Sequence, residues 1–411
     1  MKTYNDTKIG VYAITAGEPN EFIDRWLDSM KGADYIWVLV TRKGDKNYAY
    51  FKEKQKLPEF KDKLFVEEKD INPFRFDVAR NESLKLVDKE CDVLVCTDID
   101  EVMITDFWDD LRKAVSEHPD FYRIYYKFCW CHDEQTDEPI TVYWYDKIHH
   151  PNGYEWRYPA HEVVVPTNAE ELGYHGKYFL DESKIYLHHY PKRAKPSRDK
   201  YLELLKLRCE ENGYEPYSWY YLAREQVFYN RPLESLKAAQ ALYNLLRMPE
   251  QLPPVAKVKD PLLLTATCIM IARNYIRLGI LDEAEAYLVK AINANPEVLD
   301  SYILLAQHYA YTGRSELARR VLADAKKNAK PIIDWRLCQF YWKEWKWLQI
   351  QAAALTWENK YKEAYDLLKQ AESTLKSDDE KGLAASEQFF VDLEFVENKL
   401  KNIDKGVSYE K

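Results

Sequence analysis

The feature that most constrains the fold of this sequence is an internal repeat in its second half. Identical residues recur there at an interval of 34 positions: Tyr275 and Tyr309, Gly279 and Gly313, Ala284 and Ala318, and Leu288 and Leu322. Pro296 and Pro331 follow the two units. A glycine ends a helix, small alanines let two helices approach, and a proline stops the next helix. The spacing therefore predicts successive pairs of packed helices.

This period, with Tyr, Gly, Ala and a terminal Pro, is similar to that of tetratricopeptide repeats. Weaker units lie at 219–239 and 353–371, and the segment 248–261 has the composition of an inserted loop. We predict three to five helix pairs in an all-α domain over residues 196–411. Such arrays usually bind partners or pack as dimers. The alternative is that they only support the first half of the chain.

The first half of the chain alternates short apolar runs with amphipathic segments. Strand-like runs occupy 8–15, 35–41, 63–68 and 92–98, and helical spacing occupies 18–31 and 77–89. This alternation predicts crossover units and a mostly parallel, Rossmann-like α/β sheet. The aromatic runs 121–130 and 141–148 predict an added antiparallel part. A basic stretch with a proline, 192–200, links the two predicted domains, 1–195 and 196–411.

The composition limits what the chain can bind. Glycine occurs only 12 times, and the glycines are too scattered for the dinucleotide fingerprint or the P-loop. A net charge of −9 argues against nucleic acid as a partner. The seven cysteines lie mostly in apolar runs and predict reduced thiols in a cytoplasmic protein. The sequence predicts neither a signal peptide nor a transmembrane segment.

The motif Asp98-Ile99-Asp100-Glu101 follows an apolar strand. Ligands of open α/β sheets bind beyond the carboxyl ends of the strands. Clustered carboxylates repel one another unless a cation joins them. A divalent metal that bridges to a diphosphate fits this motif, because hard cations take oxygen ligands. The alternative is a solvated acidic turn without a ligand.

Two neighbouring stretches, DVARNESL (77–84) and DVLVCTDIDEV (92–102), together resemble the family 2 glycosyltransferases of GT-A fold. In that family a helix with the sequence ARN precedes a strand that ends in DxDE. The resemblance covers roughly residues 7–195. It implies a GT-A catalytic domain and a metal-dependent, inverting transfer of a sugar from a nucleotide sugar, with a UDP-sugar as the expected donor. The family's KNE motif is absent here, where the chain has Ala16-Gly17-Glu18. The Asp that contacts the nucleotide base in the family is also absent, since the second strand runs into Thr41, so the identity of the nucleotide base stays open.

The resemblance also implies the residues that bind the donor. Asp98 and Asp100 would bind Mn²⁺ or Mg²⁺, and His189, immediately before a tyrosine, would complete the coordination. Arg80 would hold the leaving phosphate, because a guanidinium can form two parallel bonds to it. Further nucleotide-sugar contacts are expected from Asp98, Thr15, Thr41 and Lys192.

The general base is expected in the stretch YEWRYPAHEVVV (154–165), which resembles the family's element that ends in HE. Glu162 is the first choice, because inverting members use a carboxylate, and His161 is the alternative. Equally, the pair could serve only to support the loop that binds the acceptor.

A catalytic domain followed by tetratricopeptide-like helices resembles the peptide S-glycosyltransferases of bacteriocin pathways. This resemblance implies a peptide, protein or glycan acceptor and a homodimer formed through the repeats. The aromatic residues of 121–158 could stack on sugar rings or hold a peptide. Their other explanation is an aromatic core, since Tyr and Trp bury well when their polar atom is bonded.

Two other functions are compatible with the sequence. One is a sugar nucleotidyltransferase, which also uses paired carboxylates and a metal but usually needs a Gly-rich or Lys-bearing loop near the start. The other is a non-catalytic tetratricopeptide adaptor with a degenerate nucleotide-sugar-binding domain. The missing KNE motif leaves room for the adaptor, whereas the DxD, ARN and HE motifs argue against it.

The segment Cys129-Trp130-Cys131-His132 contains the ligand types of a zinc site. A structural zinc site has four ligands, usually in two separated pairs. No second CxxC or HxxxH lies nearby. The sequence therefore argues against zinc at this position and favours core packing for the remaining cysteines.

Overall fold

The computed structural model describes residues 4–404 apart from 134–135, 169, 192–198, 249–259, 333, 335, 338, 376–380, 383 and 385–387. The chain forms two compact units. The sheet unit comprises Met1–His132 and Pro139–Glu211, and the helical unit comprises Asp133–Glu138 and Asn212–Lys411. Among the described residues, no helix is long and apolar enough to cross a membrane.

The sheet unit contains strands joined by helices in its first part and by turns in its second. Its strands are β1 (Ile9–Thr15), β2 (Tyr35–Val40), β3 (Leu64–Glu68), β4 (Val93–Cys96), β5 (Glu101–Met103), β6 (Phe121–His132), β7 (Pro139–His149), β8 (Tyr154–Arg157), β9 (Val163–Pro166), β10 (His175–Phe179) and β11 (Leu187–His189). Its helices are α1 (Asn20–Ser29), α2 (Lys46–Lys54), α3 (Phe76–Leu84), α4 (Asp106–Glu117) and α5 (Asp199–Glu211).

The main sheet has the strand order β3-β2-β1-β4-β7-β6-β11-β5, with β10 beside β6. Strands β1 to β4 are parallel, as the sequence predicts. Strand β7 runs antiparallel to both β4 and β6, and β11 runs antiparallel to β5. The antiparallel pairing of β6 with β7 confirms the antiparallel part that the aromatic runs predict, and the sheet as a whole is mixed. The physical reason is the short link 133–138, which allows a hairpin but not the long crossover that parallel neighbours require.

Both faces of the sheet are covered near β1, and every residue of β1 is buried. Val11 and Ala13 face the core that contains Trp26 of α1 and Phe107 of α4. Tyr12, which points the other way, packs in a separate cluster with residues of β8 and β9. This division follows from the alternation of side chains along a strand. It explains why the strand is apolar throughout rather than at alternate positions.

The helical unit consists of helix pairs, and the described residues contain four of them. The pairs are α6 (Pro216–Phe228) with α7 (Pro232–Arg247), α8 (Pro261–Arg277) with α9 (Leu281–Ala294), α10 (Leu299–Tyr311) with α11 (Ser315–Asn328), and α12 (Glu344–Trp357) with α13 (Tyr361–Ser373). Helix α14 (Phe389–Asp404) follows. The predicted helix pairs and their number are thus confirmed. Most of the predicted inserted loop, 248–261, lies outside the described residues.

The same turn joins the two helices of each pair. Its central residue has a positive φ, which is 52° at Asn230, 74° at Gly279, 77° at Gly313 and 59° at Asn359. The amide of the next residue bonds to a carbonyl five positions back, over 2.9–3.0 Å. This bond closes the helix end in the manner of a Schellman motif. Asparagine tolerates the left-handed conformation better than most residues, so it replaces glycine in the first and last pairs.

The predicted alanine contacts are also present. Ala284 and Leu288 of α9 are fully buried, as are Ala364 and Leu368 of α13 in the same relative positions. In α11, Ala318 and Leu322 occupy the equivalent sites. A small residue one turn before a leucine lets the neighbouring helix come close while the leucine fills the space beside it.

We expect Gly279→Ala to lower the free energy of unfolding by about 1–2 kcal/mol, because alanine is strained in the left-handed conformation. A new Cβ there would meet nothing within 4 Å, so the effect would report backbone strain alone. Urea unfolding followed by circular dichroism measures it. Gly382→Ala is the control, because that Cβ also meets nothing within 4 Å and its φ lies outside the left-handed region. Equal effects of the two substitutions would contradict the role of the turn.

Candidate functional site

The acidic motif forms a tight turn between β4 and β5. The amide of Glu101 donates to the carbonyl of Asp98 over 3.1 Å, and the carboxylate of Glu101 accepts from the amide of Asp98 over 2.8 Å. Glu101 is only 2% exposed. Burial and the nearby charge of Asp98 raise the pKa of Glu101 to about 7. Glu101 therefore shapes the turn, and the turn presents Asp98 and Asp100.

Arg80 of α3 lies buried beneath this turn, at 1% exposure. Its Nη2 is paired with Asp98 Oδ1, and its Nε donates to Glu162 Oε1 over 3.0 Å. Its Nη1 donates to the Thr97 carbonyl over 3.4 Å and approaches Cys96 Sγ at 3.2 Å. Burial alone would lower the pKa of Arg80, but the carboxylates outweigh it and raise this pKa well above its ordinary value. Arg80 is therefore permanently charged and forms ion pairs with two carboxylates, those of Asp98 and Glu162.

The direct phosphate-binding role of Arg80 stays a prediction. In this structure the guanidinium is buried and bonded to Asp98, Glu162 and Thr97. The sequence identified the residue but not its burial. The ring of Trp156 in β8 helps to cover the guanidinium of Arg80, with 5.4 Å between the ring centre and the guanidinium carbon.

Lys147 of β7 supplies a second cation, which the sequence did not reveal. Its Nζ lies 3.5 Å from Asp98 Oδ2, and its side chain is almost fully buried. Burial lowers the pKa of Lys147, but the charge of Asp98 more than reverses this and the pKa is raised. Burial alone would raise the pKa of Asp98. The charges of Arg80 and Lys147 outweigh this effect and lower the pKa below its ordinary value, so Asp98 remains ionised. Both oxygens of Asp98 thus face a cation.

His189 and Asp100 form a second pair at the same edge of the sheet. His189 Nε2 lies 3.2 Å from Asp100 Oδ2, and its Nδ1 lies 3.0 Å from the Trp130 carbonyl. The imidazole stacks on the half-exposed ring of Trp130, with 4.3 Å between the ring centres. Burial lowers the pKa of His189, but the hydrogen bond to Asp100 and its charge raise the pKa overall.

Glu162 and His161, the two predicted bases, lie between β8 and β9 and face different surroundings. Glu162 is mostly buried and paired with Arg80. His161 has a φ of 49°, and its ring lies edge-on to Tyr201 of α5. Its carbonyl accepts from Arg208 over 2.8 Å. The structure thus brings Glu162 into the charged cluster and turns the His161 ring toward α5.

The remaining predicted contacts lie elsewhere or outside the described residues. Thr15 ends β1 and Thr41 follows its parallel neighbour β2, and both side chains are buried. The Thr41 hydroxyl donates to the Thr15 carbonyl over 3.3 Å, and Thr15 Oγ1 lies 3.5 Å from Asn47 Oδ1. Lys192 lies outside the described residues. The nucleotide-sugar contacts of these three residues stay predictions.

The donor atoms at the turn are of the type that hard divalent cations prefer. Asp100 and His189 bring a carboxylate oxygen and an imidazole nitrogen to within 3.2 Å of each other. Mg²⁺ and Mn²⁺ are commonly held by one or two protein ligands plus phosphates and water. Asp98 is engaged by Arg80 and Lys147, and its role as a metal ligand stays a prediction.

Comparison with known proteins shows no relative by sequence. No protein-family model matches the chain, and no curated protein matches it. Similar solved structures include MamA, at 13% identity over 42% of this chain and 85% of MamA with a TM-score of 0.32. A thermophilic TPR protein of Thermus thermophilus matches at 20% identity over 46% and 89%, with a TM-score of 0.30. The Cut9–Hcn1 hetero-tetramer of the APC/C matches at 14% over 51% and 34%, with a TM-score of 0.37.

These findings correct the assignment to the family 2 glycosyltransferases of GT-A fold. The matching structures above are tetratricopeptide-type proteins and none is a glycosyltransferase, and no family model supports the assignment. The sheet is mixed, with antiparallel strands in the half that carries Lys147 and His189. Short motifs such as ARN and DxDE describe local stretches and do not determine the direction of strands that pair over long distances. The tetratricopeptide-like repeats of the helical unit are confirmed.

We expect Arg80→Met to lower the free energy of unfolding by about 3 kcal/mol, because it leaves the mostly buried Glu162 without its ion pair and Asp98 with Lys147 alone. Urea unfolding measures this change. Arg157→Met is the matched control, since Arg157 forms a largely exposed pair with Glu155 and its loss should cost less than about 1 kcal/mol. Similar losses of unfolding free energy in both variants would show that the ion pairs of Arg80 do not stabilise the fold as described above.

Proposed function

We propose that the sheet unit binds a nucleotide sugar together with a divalent cation and transfers the sugar to a peptide, protein or glycan acceptor. The observation that supports this proposal is the charged cluster around Asp98. Arg80, Lys147 and Glu162 reach it from three separate elements, and Asp100 and His189 lie beside it. Burying a charge lowers the stability of the folded protein unless other interactions compensate it. Several of them with shifted pKa values at one edge of a sheet are typical of functional sites.

Asp100 and His189 would hold the cation, which when bound would neutralise charge on the diphosphate leaving group. The cluster contains the carboxylates of Asp98, Asp100 and Glu162 and two permanent cations, so an anionic diphosphate alone would be repelled there. Lys147 Nζ lies 3.5 Å from Asp98 Oδ2. It would stabilise both the orientation of Asp98 and the negative charge of a bound donor. Manganese and magnesium are both compatible with this pair of ligands.

Glu162 would accept the proton of the acceptor. Its Oε1 is bonded to Arg80 Nε at 3.0 Å, so the proton must go to the other carboxylate oxygen. The bond to Arg80 fixes the direction of this carboxylate, which a general base requires. His161 is less suited to this role because its ring packs against Tyr201.

The second candidate is a non-catalytic adaptor that binds the same donor without transferring its sugar. Two observations favour it. Arg80 is engaged inside the protein, so the bond that would stabilise a leaving phosphate is not offered. The helical unit consists of four tetratricopeptide-like pairs among its described residues, an architecture that commonly binds other proteins. Binding of the donor with no transfer distinguishes this candidate from the first.

We expect UDP-sugars with Mn²⁺ to raise the melting temperature of the full chain. A ligand at 100 times its dissociation constant adds about 2.7 kcal/mol of stability. Asp100→Asn and His189→Gln should abolish the part of the shift that depends on Mn²⁺. Asp62→Asn, at an exposed acid, is the control and should leave the shift unchanged. A screen in which no nucleotide sugar produces a shift with either Mn²⁺ or Mg²⁺ would overturn the proposal.

We expect Glu162→Gln to slow transfer by about a hundredfold or more, because loss of a general base has an effect of this size. Release of nucleoside diphosphate from the donor measures turnover, and the melting shift measures donor binding in the same variant. Binding should persist in Glu162→Gln, and EDTA should stop turnover. Unchanged turnover would exclude Glu162 as the base. Donor binding by the unmodified chain without any release of nucleoside diphosphate would favour the adaptor.

A further inference from the structure

A second polar cluster lies on the other face of β11 from the carboxylates. His188 is paired with Cys129 of β6 in the parallel register of β11 and β6. Its neighbour His189 contacts Asp100 instead. Adjacent residues of a strand point to opposite faces of a sheet, so the two histidines serve two different surroundings.

An irregularity in β6 brings a third residue to this cluster. The register of β6 with β7 shifts between Cys129 and Cys131 and again between Cys131 and His132. In a regular strand Cys129 and His132 would face opposite sides, because they are three residues apart. In this structure one ligand atom each of Cys129, His132 and His188 lie within 4.8 Å of one another. His132 Nε2 and His188 Nδ1 are 2.8 Å apart.

We propose that Cys129, His132 and His188 bind one zinc-class ion. One thiolate and two imidazoles form a donor set that Zn²⁺ uses when a fourth position is left for water or another ligand. Such a set selects borderline-soft metals over Mg²⁺ and Mn²⁺, so this site and the carboxylate pair would not take the same ion. Among the described residues, these three form a group of His, Cys, Asp and Glu side chains whose ligand atoms lie near enough to one another to hold a metal ion.

The surroundings of the three residues suit a metal site. Cys129 is fully buried, which limits competing reactions of its sulfur. The ring of Tyr190 stacks on His132, with 4.6 Å between centres and 8° between planes, and so restricts the orientation of the imidazole. A fixed ring orientation favours metal binding, and residues packed around histidine ligands commonly provide it. Cys131, two residues along, has its sulfur 3.2 Å from the Thr141 hydroxyl and lies outside the group.

The long-range strand pairing reverses the expectation against zinc that came from the sequence. Cys129 and His132 do lie in the segment considered there, but the missing ligand is 56 residues away from His132. Because β11 pairs with β6, His188 completes the group from a distant part of the chain. The zinc-class site is independent of the proposed sugar transfer.

The test is a titration of the chelator-treated full chain with Co²⁺, followed by absorbance. We expect one Co²⁺ per chain with a sulfur-to-cobalt charge-transfer band that Zn²⁺ abolishes. Cys129→Ser should lose the band. Cys131→Ser and Asp100→Asn are the controls and should keep it. Absence of the band in the unmodified chain, or its persistence in Cys129→Ser, would overturn the proposal.

A second variant keeps the test decisive if Cys129→Ser does not fold. Zn²⁺ should raise the melting temperature of the unmodified chain and should not raise that of His188→Asn. His175→Asn, at an exposed histidine of β10, is the control and should respond as the unmodified chain does. A zinc-dependent shift that is equal in His188→Asn and His175→Asn would overturn the assignment of His188.

Discussion

The site depends on one buried cation, Arg80. Its guanidinium joins the turn after β4 to the segment between β8 and β9 through Asp98 and Glu162. Without it, the mostly buried Glu162 would lose its ion pair and Asp98 would keep only Lys147. Lys147 of β7 supplies the second positive charge beside Asp98. Arg80 thereby holds Asp98 and Glu162 in one cluster.

The strand β11 connects the two polar clusters of the sheet unit. His189 faces the carboxylates, and His188 faces Cys129 and His132. The backbone amide of Tyr190 donates to the carbonyl of Asp100 over 2.8 Å, which holds the end of this short strand against the acidic turn. A metal bound at the second cluster would therefore also restrain the orientation of His189. Three consecutive residues thus link the Asp100–His189 pair to the cluster of Cys129, His132 and His188.

Local signals in the sequence were sufficient for the helical unit and for part of the sheet. Gly279 and Gly313 marked their turns because glycine is the usual residue at a positive φ, whereas Asn230 and Asn359 at the equivalent turns carry a weaker signal. Asp98, Arg80 and Glu162 could be named from short motifs, but not their mutual pairing, which buries Arg80. Lys147 and His188 have no local signal, because strand pairing over long distances places them. The same limit explains why the short motifs led to the wrong family. The directions of the parallel strands β1 to β4 and of the antiparallel pair β6 and β7 were predicted correctly.

The central claim is that the edge of the sheet at Asp98 and Asp100 binds a nucleotide sugar and a divalent cation together. Electron paramagnetic resonance of Mn²⁺ tests it most directly, because free Mn²⁺ gives a six-line spectrum that is lost on binding. We predict that a UDP-sugar lowers free Mn²⁺ further in the presence of the unmodified chain than in the presence of Asp100→Asn. Equal free Mn²⁺ with both proteins at every nucleotide-sugar concentration would contradict the claim.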